Sequence, residues 1–231
     1  MNKTVEKMLK KPITATLLSI LFGFIVAAVI LAVAGYHPIE AFSALLNGTV
    51  GRPKYIANVL IKGTPIIITG LSVAFAYKMG LFNIGAEGQY IVGSIAATIV
   101  GILLNLPAIL EIPLIILAGI LAGAVYGGIA GYLKARFSIN EVITTIMLNW
   151  IALYLCNFVS RMAPFYKSGT TGTYAIHESG FTIFFSKWKT TEAAGEFLKQ
   201  HPLLGDLMRT DFNVGIFVAI ILGVGISWFL F

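Results

Sequence analysis

Between Ile13 and Gly35 the chain runs without one charged residue, and that stretch narrows the possible folds more than any other feature. The hydrocarbon core of a bilayer is about 30 Å thick, so a helix crossing it needs roughly 20 mostly apolar residues. Comparable runs recur at 55–77, 90–104, 113–133, 140–161 and 213–231. Composition agrees: 11% of the 231 residues are charged, 58% are hydrophobic, and mean hydropathy is +0.89. A soluble globular domain carries about 25% charged residues, so there are too few here to cover a wetted surface. Disorder is excluded by the opposite excess, because this much apolar surface does not stay solvated. The expected fold is all-α, a polytopic helical membrane bundle of about six spans with a broken or re-entrant segment near 80–89.

The expected organisation is a single membrane domain. A cytoplasmic N-terminus (1–12) precedes the first span (13–35), an external connector (36–54), and the second span (55–77). A glycine-rich polar segment (78–89) leads to the third span (90–104), an external turn (105–112) and the fourth span (113–133). A cytoplasmic turn (134–139) then precedes the fifth span (140–161), a long external loop (162–212) and a sixth, incomplete run (213–231). Ala32-Val33-Ala34 is similar to a signal-peptidase site. The apolar run before it exceeds the ~7–15 residues of a signal peptide and more spans follow, so a retained first helix is the preferred reading. Pro65 lacks a backbone donor and is expected to kink or restart the second helix.

Orientation is read from the short loops. Lys3, Lys7, Lys10, Lys11, Lys78, Lys134 and Arg136 make seven cations on one side, against Arg52 and Lys54 on the other. Positive residues accumulate in cytoplasmic loops, so the N-terminus is expected in the cytoplasm; the expected location is the plasma membrane, as a multi-pass protein. The long loop balances five cations against five carboxylates, and a segment of that length crosses largely regardless of charge. The sixth run stops at Phe231 with no cationic flank, so the sequence is expected to be a fragment or truncated product whose further helices follow.

Few residues could carry chemistry. Cys156 is the single cysteine and His37, His177 and His201 are scattered, so neither a disulfide framework nor a metal site is expected. H-E-x-x-H and G-x-S-x-G are absent, and Gly80 and Gly85 open a phosphate-loop spacing that Ala86-Glu87 breaks. The chain is therefore expected to be no enzyme. Gly119, Gly123, Gly127 and Gly131 recur every fourth residue, which suits close helix packing; a packing seam is preferred over a substrate groove. The segment from Gly80 to Gln89 concentrates polar groups between apolar runs. Glu87 there is either a functional intramembrane carboxylate or part of an ordinary interfacial turn. Glu141, Thr145 and Asn149 share a helical face. Asn140 and Glu141 suit the helix start as cap and dipole partner, whereas Asn149 lies two turns deeper and is the better pathway candidate. Lys62 is expected to snorkel. Phe181 to Phe185 with Trp188 suggests an apolar patch or an interfacial helix on the external loop.

Two local motifs add a resemblance. Phe82-Asn-Ile-Gly-Ala-Glu-Gly-Gln89, preceded by Gly70-Leu-Ser-Val-Ala-Phe75, resembles the signature region of permease subunits of ABC importers in the branched-chain amino acid, ribose and nucleoside class. Ile139-Asn-Glu-Val-Ile-Thr-Thr-Ile-Met-Leu-Asn149 is similar to a second signature of the nucleoside-type branch, which is served by a lipoprotein of the basic membrane protein family. The resemblance implies a second permease subunit and cytoplasmic ATPase subunits as partners. It also implies an extracellular substrate-binding lipoprotein, a small polar solute and surrounding membrane lipid, with no nucleic acid. ATP would be held by the partner ATPase, with no cofactor on this chain. The expected activity is nucleoside import, with Asn83, Glu87, Gln89 and Asn149 as the polar lining of the pathway. A proton-coupled carrier using Glu87, or a permease for a sugar or branched-chain amino acid, are the alternatives.

Overall fold

The computed structural model describes residues 12–185 and 188–230. Nine α-helices account for most of them, and the described residues contain only two isolated β-bridges in place of a sheet. The expected cationic N-terminal flank lies outside the described residues, as do Lys187 and Phe231. The chain divides into two compact units between Ile56 and Ala57.

In the first unit, α1 (Pro12–Val33) carries the charge-free run, and its large side chains stay exposed. The connector after it is not irregular: α2 (Pro38–Val50) opens with Pro38 at its first position, where the missing N–H costs nothing. Phe24 of α1 and Phe42 of α2 meet edge to face at 5.4 Å.

In the second unit, α3 (Pro53–Lys78, which begins just before the boundary) continues through Pro65 without a restart. It ends at Gly80. That residue takes a φ of +74°, the left-handed conformation that side chains resist. Gly80 N–H then bonds Tyr77 C=O at 3.0 Å and Leu81 N–H bonds Ala76 C=O at 2.9 Å, which satisfies the last carbonyls of the helix.

Three helices form the core: α4 (Ala86–Leu103), α5 (Ala108–Phe137) and α6 (Glu141–Ser160). The pair α4 and α5 packs most closely. A β-carbon on Gly93 would lie 2.9 Å from the Gly119 carbonyl oxygen, so only hydrogen lets the two backbones approach. Along the glycine ladder, Gly123 faces the Gln89 backbone and Gly127 the Gln89 side chain, while Gly131 has open space. α5 begins at Ala108, five residues before the apolar run, with Glu111 in its first turn. By length and composition, five described helices (α1, α3, α4, α5 and α6) could cross a membrane. The last apolar run makes a shorter helix, α9 (Val214–Leu230), whose Phe229 stacks on Phe75 of α3.

Between α6 and α9 lie two short helices, α7 (Glu192–Gln200) and α8 (Pro202–Met208). Thr191 caps α7 by accepting from Ala194 N–H at 3.3 Å, and the helix buries Ala194 and Leu198. Phe184 packs against Phe212 and Phe217. The neighbouring Lys189 ammonium donates to the Thr210 carbonyl at 2.6 Å. Burial pushes the Lys189 pKa below 10.5, with the Asp211 charge opposing that shift.

The same segment is pinned to the core. His177 N–H bonds Gly101 C=O at 3.0 Å, and Ser179 Oγ donates to Glu111 Oε2 at 2.5 Å. Glu111 is fully buried; Leu106 N–H also bonds its Oε2 at 3.1 Å, and its Oε1 has no partner among the described residues. A residue read from sequence as part of a turn thus fastens the 176–180 strap to the Pro107 end of the core.

Candidate functional site

The break between α3 and α4 is built from short polar contacts. Asn83 Oδ1 accepts from Gly85 N–H at 2.9 Å, closing the tight turn that starts α4. Gly85, as the N-cap, has no side chain to satisfy the first-turn amides. Asn149 of α6 supplies one instead: its Oδ1 accepts from Gly88 N–H at 2.8 Å, and its Nδ2 donates to Ile84 C=O at 3.1 Å. One amide side chain therefore caps a helix that lies 61 residues away in sequence. The contact requires Gly88, where a β-carbon would fall 2.8 Å from Asn149 Oδ1. Tyr126 of α5 steadies α6 one residue earlier, its hydroxyl donating to Leu148 C=O at 2.7 Å.

Four residues on, toward the start of α6, Thr145 packs under Gly85, whose β-carbon would lie 3.0 Å from the threonine Cβ. Glu141 pairs with Lys134 at 2.5 Å across the turn joining α5 to α6. Asn140 Oδ1 caps α6 by accepting from Val142 N–H at 2.9 Å. The face shared by Glu141, Thr145 and Asn149 is thus turned toward the start of α4 and the end of α5.

The four candidate pathway residues do not share one cavity, and Asn149, which caps α4, lines none of those described below. Asn83 and Gln89 approach each other through their amides at 3.4–3.5 Å, and both line a cavity of about 160 Å³ with Phe82, Lys134 and Glu141. Glu87 lies elsewhere. It is exposed in the first turn of α4, suited to the positive helix end, with no bonded partner among the described residues. It lines a groove of about 370 Å³ beside α3, together with Pro65, Thr69, Gly70 and Tyr90.

A third cavity, of about 270 Å³, lies farther along α4 toward Leu103. It is lined by Tyr90, Ser94 and Thr98 of α4, by Cys156 and Ser160 of α6, and by Phe165 and Thr173 from the segment after α6. Reasoning from sequence passed over these hydroxyls because they lie within an apolar run; their spacing along α4 was the available signal. No group of three or more metal-ligating side chains occurs among the described residues.

Residues 55–230 match the family described as the permease component of branched-chain amino acid transport systems. The chain is 39% identical over 214 residues to the guanosine ABC transporter permease protein NupP of Bacillus subtilis, covering 93% of this chain and 56% of that protein. It is 39% identical over 160 residues to the nucleoside ABC transporter permease protein NupB of Lactococcus lactis, covering 69% and 43%. The glucose ABC transporter permease protein TsgB13 of Haloferax volcanii is 36% identical over 157 residues, covering 68% and 40%. The chain thus spans about half the length of the curated relatives it matches. No solved structure gives a significant match.

Proposed function

Because this chain, a multi-pass membrane protein, belongs to the permease-component family of branched-chain amino acid transport systems, we propose that it is a membrane subunit of an ATP-driven importer of nucleosides. The observation that carries the solute class is the 39% identity to a guanosine permease along 93% of the chain. The carboxylate and amides at the start of α4 support it, since a nucleoside offers both donors and acceptors to such groups. ATP would be bound and hydrolysed by separate cytoplasmic ATPase subunits. A second permease would complete the pathway, and an extracellular lipoprotein would deliver the solute. The cationic turn at Lys134 and Arg136 would face the cytoplasm of a plasma-membrane protein, together with the N-terminus.

The four polar residues would serve this pathway in two ways. Glu87, exposed and unbonded in its groove, would meet the solute. Asn83, Gln89 and Asn149 would line the break and hold Glu87 in register, because their amides bond its turn and one another. A buried helix start left uncapped costs about 1–3 kcal/mol, so the support is energetically meaningful.

Uptake of labelled guanosine by the reconstituted complete importer tests this reading. Uptake should require ATP and the ATPase subunits, and Glu87→Ala should depress it sharply. Uptake that survives ATPase inactivation but collapses with the proton gradient would instead identify a carrier driven through Glu87. A sugar is the second reading, favoured by the 36% identity to a glucose permease. Glucose transported in place of guanosine would establish it.

A further inference from the structure

The side chains Glu87, Tyr90, Ser94 and Thr98 follow one another along α4 at steps of three, four and four residues. At 100° per residue they fall within an arc of about 80° on one helix face. Tyr90 lines both the Glu87 groove and the 270 Å³ cavity toward Leu103. The two spaces therefore meet at one aromatic side chain. The Asn83–Gln89 cavity shares no lining residue with either.

The chemistry of the 270 Å³ cavity is specific. None of its lining residues carries a charge at neutral pH. Ser94 and Thr98 donate their hydroxyl hydrogens to the carbonyls of Tyr90 and Ser94, at 2.7 and 2.8 Å, and so offer lone pairs to a guest. The hydroxyls of Tyr90, Ser160 and Thr173 bond nothing among the described residues and remain free to donate or accept. Ile91, Ile95 and Ile99 supply apolar wall, and Phe165 supplies an aromatic ring. A phosphate would find no cation here, and a zwitterionic amino acid would bury two unpaired charges. A bare sugar would leave the isoleucine wall uncovered. A flat, uncharged heterocycle bearing donors and acceptors fits both the apolar and the hydroxyl surfaces. The volume lies near the lower end for small-molecule pockets, about 300 Å³.

We propose that this cavity is a binding station for the base of an uncharged nucleoside, and that the Tyr90–Ser94–Thr98 face is the track along which the solute reaches Glu87. The inference rests on the nucleoside reading above and deepens it, since it names a second site on the route and the charge state that site admits. Ser94 and Thr98 would be specificity-determining residues.

The single cysteine lines the cavity and reports on it. In the complete importer, alkylation of Cys156 by a maleimide is followed by mass spectrometry of its peptide, with guanosine, adenosine, guanosine 5′-monophosphate or glucose present. Guanosine and adenosine should slow the reaction about tenfold, as expected where a bound guest covers the thiol nine-tenths of the time, while the nucleotide and glucose leave it unchanged. Independently, Ser94→Phe fills the cavity and should lower guanosine uptake about tenfold at equal membrane abundance. Full-speed alkylation at guanosine concentrations that saturate uptake would overturn the proposal, as would undiminished uptake by Ser94→Phe. If the unmodified importer takes up no guanosine, the functional reading fails first. If it does and neither readout responds, the track alone is wrong.

Discussion

Gly88 and Glu87 are neighbours in the first turn of α4, yet their environments are opposite. The Gly88 amide is held by Asn149 at 2.8 Å, whereas the Glu87 carboxylate is exposed and bonded to nothing among the described residues. The difference separates scaffold from working group, and substitutions should expose it. Asn149→Leu strands the Gly88 N–H and the Ile84 C=O at a helix start, which costs about 1–3 kcal/mol. For a chain of this length that lowers the midpoint of thermal unfolding in detergent by roughly 2–12 °C. Asn149→Asp keeps the acceptor and loses the donor to Ile84, so its loss should be smaller. Glu87→Gln breaks no bond and should unfold with the parent protein while uptake falls. A Glu87→Gln protein that loses as much thermal stability as Asn149→Leu would show that the carboxylate is structural.

At the scale of the helix, the glycines differ by what lies opposite them. A methyl group on Gly93 would press on the backbone carbonyl of Gly119 at 2.9 Å, and backbone cannot rotate aside. One on Gly131 would meet nothing within 4 Å. Alanine is favoured over glycine in a helix by about 1 kcal/mol, so Gly131→Ala should raise the unfolding midpoint and Gly93→Ala should lower it. Equal shifts in both would mean that α4 and α5 do not approach as closely as the 2.9 Å spacing requires. The strap over the Pro107 end is a second element-level case. Ser179→Ala removes the hydrogen bond to fully buried Glu111 and leaves a carboxylate with less than its due of donors. Hydrogen exchange at the amides of 177–180 should accelerate by roughly five- to 150-fold, following a local cost of about 1–3 kcal/mol. Exchange at the parent rate would assign the strap's order to the bond from His177 N–H to Gly101 C=O instead.

Over the whole molecule, the apolar runs were legible because lipid demands them: each forms helix over most of its described residues, and Gly80 closes the last turn of α3. What sequence left hidden is long-range or disguised. The reach of Asn149 to Gly88 spans 61 residues and depends on how α6 packs, which spacing within one helix does not encode. Glu111 looked like a turn residue because charge usually marks a boundary, and only the strap above it makes burial tolerable. The hydroxyls of Ser94 and Thr98 bond their own helix and so pass for apolar positions. The same lipid constraint yields an orientation that can be measured. The turn at Ser138 follows Lys134 and Arg136 and joins α5 to α6, so it lies at the opposite end of the core from the 161–213 segment. Cations favour the cytoplasmic side, so the 161–213 segment is expected outside the cell. In a Cys156→Ala background, Gly172→Cys and Ser138→Cys each introduce a thiol at an exposed position. A membrane-impermeant maleimide added to whole cells should label the first, and should reach the second only after permeabilisation. The reverse pattern would invert the bundle and move the start of α4, with Glu87, to the external side.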